Sequence, residues 1–172
     1  MQHYLQNKLH DNESLSKQVH SWKSQGLSIG FTNGVFDIIH LGHVNYLQEA
    51  SEQADRLIIG LNSDSSVKRL NKGPERPINS EQSRAIVLAG LHSVSAVCVF
   101  DQDTPLDLIS KVLPDILMKG GDYDADCTDE QHPSFIVGSK EVKEAGGKVL
   151  SIPLVEGFST TEAVRKLKEN GN

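Results

Sequence analysis

The sequence has no apolar run long enough to cross a membrane, only two cysteines, and no block of like charge longer than a few residues. Each shortage excludes a class of protein. Without some 20 consecutive apolar residues there is no membrane helix. The polar start, Met1-Gln2-His3-Tyr4, has none of the features of a signal peptide, so a cytoplasmic protein is expected. Cys98 lies inside an apolar run and reads as core, whereas Cys127 sits in an acidic loop. Neither belongs to a CxxC pair, which argues against a disulfide or zinc framework and fits a reducing compartment. A formal net charge of -6 and the lack of a basic face argue against nucleic acid as the main partner. What is present is 172 residues, 37% hydrophobic and 23% charged, enough for one globular domain with a full core.

The pattern of apolar residues divides this domain. In residues 1–26, Leu5, Leu9, Leu15, Val19 and Trp22 recur at roughly helical spacing and Gly26 is a stop, which predicts an N-terminal packing helix preceded by frayed or irregular residues. From residue 27 onward, short apolar runs at 27–31, 57–61, 96–100, 116–118 and 149–154 have the length and β-branched content of buried strands. Helical stretches at 41–53, 80–91, 105–112, 135–145 and 160–169 alternate with them. Asp103-Thr104-Pro105 reads as an N-cap before a proline at the first helical position, and Gly146-Gly147 as a helix stop. The alternation predicts an α/β fold over residues 27–172: a Rossmann-like, three-layer arrangement around a five-stranded parallel sheet. Ligands of such sheets bind at the carboxyl ends of the strands. Polar, glycine-containing segments follow four of the strands, at 32–37, 62–64, 119–123 and 156–161.

The first of these segments leads to His40 and His43, three residues apart where a turn becomes a helix. At that spacing both imidazoles share one face of the first helical turn, beside free backbone N–H groups and the positive end of the helix dipole. Gly42 leaves room between them for a bulky anion, and Gly34 is expected to do the same in the preceding turn. A surface pair or a partial metal site would also have two such histidines, but no third zinc ligand is evident.

Thr32-Asn33-Gly34-Val35-Phe36-Asp37 followed by His40-Leu41-Gly42-His43 resembles the signature of the HxGH nucleotidyltransferase superfamily. That superfamily includes cytidylyltransferases, pantetheine-phosphate adenylyltransferase and class I aminoacyl-tRNA synthetases. Further segments are similar to the adenylyltransferase domains of the bacterial ADP-heptose synthesis enzymes, over residues 22–167. These are Asn62-Ser63-Asp64, Arg76-Pro77, Lys119-Gly120-Gly121-Asp122-Tyr123, Gly138-Ser139-Lys140-Glu141-Val142 and Glu156-Gly157-Phe158-Ser159-Thr160-Thr161. The resemblance implies transfer of AMP from ATP to D-glycero-β-D-manno-heptose 1-phosphate, giving ADP-heptose for surface glycans, and pyrophosphate. It also implies Mg²⁺ held mainly by the ATP phosphates, a homodimer, and a kinase domain either absent as in a stand-alone transferase or lost from an excised half. Glycerol-3-phosphate and ethanolamine-phosphate cytidylyltransferases share HxGH and the Glu-Gly-x-Ser-Thr-Thr run. The Thr-Asn-Gly start and the Lys-Gly-Gly-Asp-Tyr segment favour the heptose branch. A non-catalytic ATP-binding module would have no need of both histidines.

The residues suit that chemistry. A sugar phosphate has a second pKa near ~6, so its attacking oxygen is ionised at neutral pH without a general base. The transfer then needs alignment and donors for charge at the α-phosphorus and on pyrophosphate. His40 and His43 are the expected catalytic donors, with Lys72 and Arg84 beside them. Arg84 matches an arginine that contacts phosphates in related cytidylyltransferases. Their helix-terminal position lowers the pKa of the histidines and phosphates raise it, so their charge state stays open. Thr32, Asn33, Gly34, Phe36, Asp37, Gly42, Lys119, Gly121, Asp122 and Phe158 are expected around the nucleotide, and Ser159, Thr160 and Thr161 around its β- and γ-phosphates. Asp122 is a candidate for the ribose hydroxyls; Asp37 either orients a histidine, contacts the acceptor or braces the turn. Asn62, Asp64, Lys68, Arg69, Lys72 and Arg76 are assigned jointly to the sugar phosphate, the basic members forming a clamp loop around Gly73.

Overall fold

In the computed structural model of the chain, the described residues are 2–70, 73, 75–121, 123–154 and 157. The first half runs through α1 (Gln2–Gln6), β1 (Leu9–His10), α2 (Asn12–Ser24), β2 (Ile29–Gly34), α3 (Leu41–Ser51), β3 (Arg56–Asn62) and α4 (Asp64–Arg69). The second half has α5 (Glu81–Ala89), β4 (Ala96–Phe100), α6 (Leu106–Val112), β5 (Ile116–Gly120), α7 (Ser139–Glu144) and β6 (Lys148–Ile152). All strand pairs are parallel, in the order β1-β4-β3-β2-β5-β6.

Successive residues of a strand face opposite sides of the sheet, and the core divides accordingly. Leu57, Ile59 and Leu61 of β3 point to the side where Leu47 and Ala50 of α3 and Leu88 of α5 pack. Ile58 points the other way, with Phe31 of β2, toward Leu15 and Val19 of α2 and Ile109 of α6. Central strands buried on both faces explain why their sequence reads as continuous apolar runs.

The sheet has six strands, not the five expected. The extra strand is only two residues long, pairing Leu9 with Val97 and His10 with Cys98 at the edge beside β4. Its leucine matched a helical period, and nothing local marks it as a strand; only the exposed edge of β4 makes it one. The N-terminal packing helix is α2, and the residues before it include the short α1 and this edge strand. The packing helix begins after Asp11, whose carboxylate accepts from the Ser14 N–H at 2.8 Å in a capping box. That helix ends as expected at Gly26, and α7 at Gly146, both in the left-handed conformation that glycine adopts without steric cost.

Three further expectations need correction. Lys68 and Arg69 lie in the last turn of α4 rather than in a loop. Ser63 caps that helix through the Ser66 N–H at 3.0 Å. At α6 the cap position is Pro105 itself, which has no side-chain oxygen to cap with, and the Asp103 carboxylate is engaged by Arg69 at 2.5 Å. Finally, α7 starts at Ser139 rather than 135, since Gly138 at φ +86° interrupts the helical path. That leaves Phe135 and Val137 in irregular chain beside the cleft. The predicted helix over 160–169 lies outside the described residues. No helix among the described residues is long and apolar enough to cross a membrane.

Candidate active site

From β2 the sheet continues to β3 and β4 on one side and to β5 and β6 on the other. The order of strands reverses between β2 and β5, and an open parallel sheet has its natural crevice at the carboxyl ends of such a pair. A cleft of about 650 Å³ lies there. Asn33 and Gly34 end β2 in it, Lys119 and Gly120 end β5, and His40, Gly42 and His43 open α3 above them.

The turn between β2 and α3 is shaped by its own residues. Phe36 has a positive φ of 47°, an uncommon conformation for a bulky side chain. Its ring lies edge-on to His43 with centroids 5.3 Å apart. A Cβ at Gly34 would stand 3.0 Å from this same ring, so Gly34 makes room for Phe36. The following Asp37 is fully enclosed. Its carboxylate accepts from Arg76 Nε at 2.5 Å, from the Ile78 N–H and from the Asn79 N–H at 2.9 Å. Burial would raise the pKa of this acid, yet the two backbone donors and the Arg76 guanidinium together hold it below the usual carboxylate range. Asp37 thus braces the turn and pins the chain that follows Gly73 against the cleft.

His40 caps α3, its Nδ1 accepting the His43 N–H across 3.4 Å. The two imidazoles stack, centroids 3.9 Å apart and planes 24° from parallel. Burial, and then the neighbouring His40, push the His43 pKa down to about 4, and burial also lowers that of His40. Both rings are therefore neutral near pH 7 in the free protein. His43 Nδ1 and Asn33 Oδ1 are buried and have no hydrogen-bond partner among the described residues. Buried polar atoms are normally satisfied, so these two, both facing one cleft, are candidates to meet a polar ligand. Lys119 Nζ donates to the Asn33 carbonyl at 3.3 Å and lies 5.0 Å above the Tyr123 ring.

The depressed histidine pKa has a consequence for stability. In the unfolded chain His43 regains a pKa near 6.5, so between pH 6.5 and about 4 the unfolded state binds more protons. Stability from this group is complete above pH 6.5 and lost as pH falls. Between pH 7 and pH 5 the loss is on the order of 2 kcal/mol. Urea midpoints of wild type at the two pH values should differ by correspondingly more than those of His43→Gln. Equal differences would mean that His43 titrates normally.

Among the other expected residues, Thr32 is buried, its hydroxyl 2.7 Å from that of Tyr46. Asn62 lines the cleft while its amide donates to Ser66 Oγ at 3.0 Å. Arg76 lines it too, beside Asp37. Asp64, Lys68, Arg69 and Gly121 do not line it. Arg84 lies beneath it, 1% exposed. There it donates to the Val35 carbonyl at 2.7 Å, the Asn79 carbonyl at 3.0 Å and the Asp64 carboxylate at 2.7 Å. A direct phosphate contact by Arg84 would require this strut to break. Lys72, Asp122, Phe158, Ser159, Thr160 and Thr161 lie outside the described residues. Tyr46, absent from the expected set, is in the cleft wall. Its position three residues after His43 signals the same helix face. Phe135, Leu154, Asp103 and Thr104 also line the cleft, and no local signal marks them.

A cleft of this size at the switch point of a parallel sheet, with a helix N-terminus and two imidazoles in its lining, is the arrangement of a nucleotide-handling α/β domain. The cytidylyltransferase-like family matches residues 31–166, and the chain belongs to that family. It is 53% identical over 158 residues to the bifunctional protein HldE of Mesorhizobium japonicum, and 52% over 155 residues to that of Methylobacillus flagellatus. These alignments cover 92% and 90% of this chain, which spans 30% of the length of either relative. Among solved structures it resembles the lipopolysaccharide core biosynthesis protein of Thermoplasma volcanium, at 25% identity and a TM-score of 0.58. That match covers 77% of this chain and all of the other. Pantoate-beta-alanine ligase of Francisella tularensis shares the fold, at 16% identity and a TM-score of 0.54, over 94% of this chain and 77% of the ligase.

Proposed function

We propose that the chain is an adenylyltransferase that moves AMP from ATP to D-glycero-β-D-manno-heptose 1-phosphate. The observation that carries the reaction class is the stacked His40–His43 pair at the start of α3, 3.9 Å apart at the switch point. Support for the heptose branch comes from the Lys-Gly-Gly-Asp-Tyr segment and from relatives whose name denotes two activities, of which this chain spans one part.

An ionised phosphate oxygen of the sugar attacks the α-phosphorus, and the bond to the bridging oxygen of pyrophosphate breaks. His40 and His43 donate to oxygens that gain charge, a task neutral imidazoles perform through an N–H and perform more strongly once anionic phosphates raise their proton affinity. Lys119 supplies fixed positive charge at the end of β5. Arg76 faces the acceptor phosphate, held in place by Asp37. Ser159, Thr160 and Thr161 take the β- and γ-phosphates, Asp122 the ribose, Phe158 the neighbourhood of the base, and Lys72 the leaving group. The polar lining of the cleft is mainly imidazole, amide and cationic groups, its two carboxylates, Asp37 and Asp103, are each engaged by an arginine, and the described residues include no cluster of three metal-binding side chains. These groups would leave Mg²⁺ to be held mainly by the ATP phosphates, and the ion would supply positive charge against the leaving pyrophosphate. By the same resemblance the protein acts as a cytoplasmic homodimer, and a heptose-phosphate kinase supplies its acceptor.

Pyrophosphate release tests this reading, with Mg²⁺ and either ATP or CTP offered against heptose 1-phosphate, glycerol 3-phosphate and phosphoethanolamine. Release with ATP and heptose 1-phosphate alone is expected. Release with CTP and one of the smaller acceptors would keep the histidine roles and replace the substrate.

A further inference from the structure

We infer that Asp103 and Thr104, in the loop after β4, recognise the hydroxyl groups of the acceptor and select a polyhydroxylated phosphate over a simple one. The inference rests on the proposed transfer to a sugar phosphate and assigns the part of the cleft that would read the sugar.

Two ligands must meet at the histidines, and the cleft offers them different walls. On the β5–β6 side, beyond Lys119, the lining includes Tyr123, Pro133, Phe135 and Leu154, largely apolar and aromatic surface suited to a nucleobase. On the β3–β4 side stand Asn62, Arg76, Asp103 and Thr104. A carboxylate on the wall of a site for polyanions is unfavourable toward phosphates. Toward sugar hydroxyls it is a strong acceptor, since a charged partner makes a hydrogen bond roughly twice as strong. Arg69 uses only part of its capacity: Nε donates to Asp103 Oδ1 at 2.5 Å, leaving acceptor positions on a group that has about four. The Thr104 hydroxyl adds one donor and two acceptor positions.

The loop that carries them is exposed, yet it is strapped down along its length. Ser63 and Ser65 hydroxyls both donate to Asp101 Oδ1, the latter at 2.5 Å. Ser66 Oγ donates to the Gln102 carbonyl at 2.9 Å, and Arg69 reaches the Asp101 carbonyl as well as the Asp103 carboxylate. Fixing an exposed polar loop costs conformational entropy, and pre-organising a recognition surface is the return on it. Arg69, expected from the sequence to clamp a phosphate, is in this geometry a positioning residue for Asp103.

The test compares wild type with Asp103→Ala, Thr104→Val, Asp103→Asn and Arg69→Met in steady-state assays with ATP and heptose 1-phosphate. Asp103→Ala should raise KM for the sugar phosphate about tenfold, the scale of one charged hydrogen bond, with KM for ATP within twofold. Thr104→Val should give a smaller rise of the same selectivity. Asp103→Asn, which keeps a carbonyl acceptor, should recover part of the loss, and Arg69→Met should show a weaker form of it. Thermal unfolding of each variant checks that the fold is intact. An unchanged KM for the sugar phosphate in Asp103→Ala, or an equal rise in KM for ATP, overturns the inference alone. No wild-type turnover with any phosphorylated sugar overturns the proposed function along with it.

Discussion

Replacing His43 by alanine should lower turnover by about 10²–10³-fold, the usual effect of removing one pre-aligned donor from a developing oxyanion. ATP affinity should fall by less than tenfold. The reason for the split lies in what the ring touches. His43 makes few commitments to the fold: its Nδ1 has no hydrogen bond of good geometry among the described residues, the Ile38 backbone acts on the ring only weakly, and the ring packs on the Phe36 edge and the stacked His40. An unmatched donor or acceptor in a cleft contributes little until charge develops near it. On the proposed mechanism, binding of the triphosphate in the ground state would draw on the α3 N-terminus and Lys119, which the substitution leaves in place. Single-turnover rates and equilibrium ATP binding of the same variant separate the two quantities. Turnover within threefold of wild type would remove His43 from the mechanism.

Replacing Arg84 by alanine should instead be felt first in stability, by about 3–5 kcal/mol, which for a domain of this size lowers Tm by about 6–20 °C. The side chain is enclosed, and its guanidinium ties the turn after β2, the end of the segment before α5, and the first residue of α4. Its loss leaves the Val35 carbonyl without its donor, opens a void, and frees the Asp64 carboxylate. Lysine at this position should recover only a fraction, because a single ammonium cannot span three acceptors set in a fork. If Tm were unchanged while turnover fell more than a hundredfold, Arg84 would be a phosphate ligand and the strut a minor feature.

These two residues differ in how legible they were. The histidine pair was visible because its geometry is local: a strand, a turn and the first helical turn put both rings on one face whatever surrounds them. Arg84 carried a family correspondence, yet its donors meet Val35, Asn79 and Asp64, and nothing in the sequence near position 84 ranks those partners above a phosphate. Asp37 was left among three roles for the same reason. Its partners Arg76, Ile78 and Asn79 lie about forty residues further along the chain. Arg69 and Arg76 looked equivalent in one basic stretch, and the structure turns one to Asp103 and the other to the cleft floor.

The alternation of strands and helices along the chain, the parallel sheet, and the gathering of polar segments at strand ends were determined by the sequence alone. Each follows from a short-range pattern: apolar runs of strand length, helical periodicity and capping residues. The sixth strand required the tertiary structure, since two residues become a strand only when an edge is there to pair with them. So did the division of cations between scaffold and cleft, which depends on carboxylates brought from distant segments. The proton affinity of His43 belongs to the same group, because burial is a property of everything packed around a side chain and of no single residue near it.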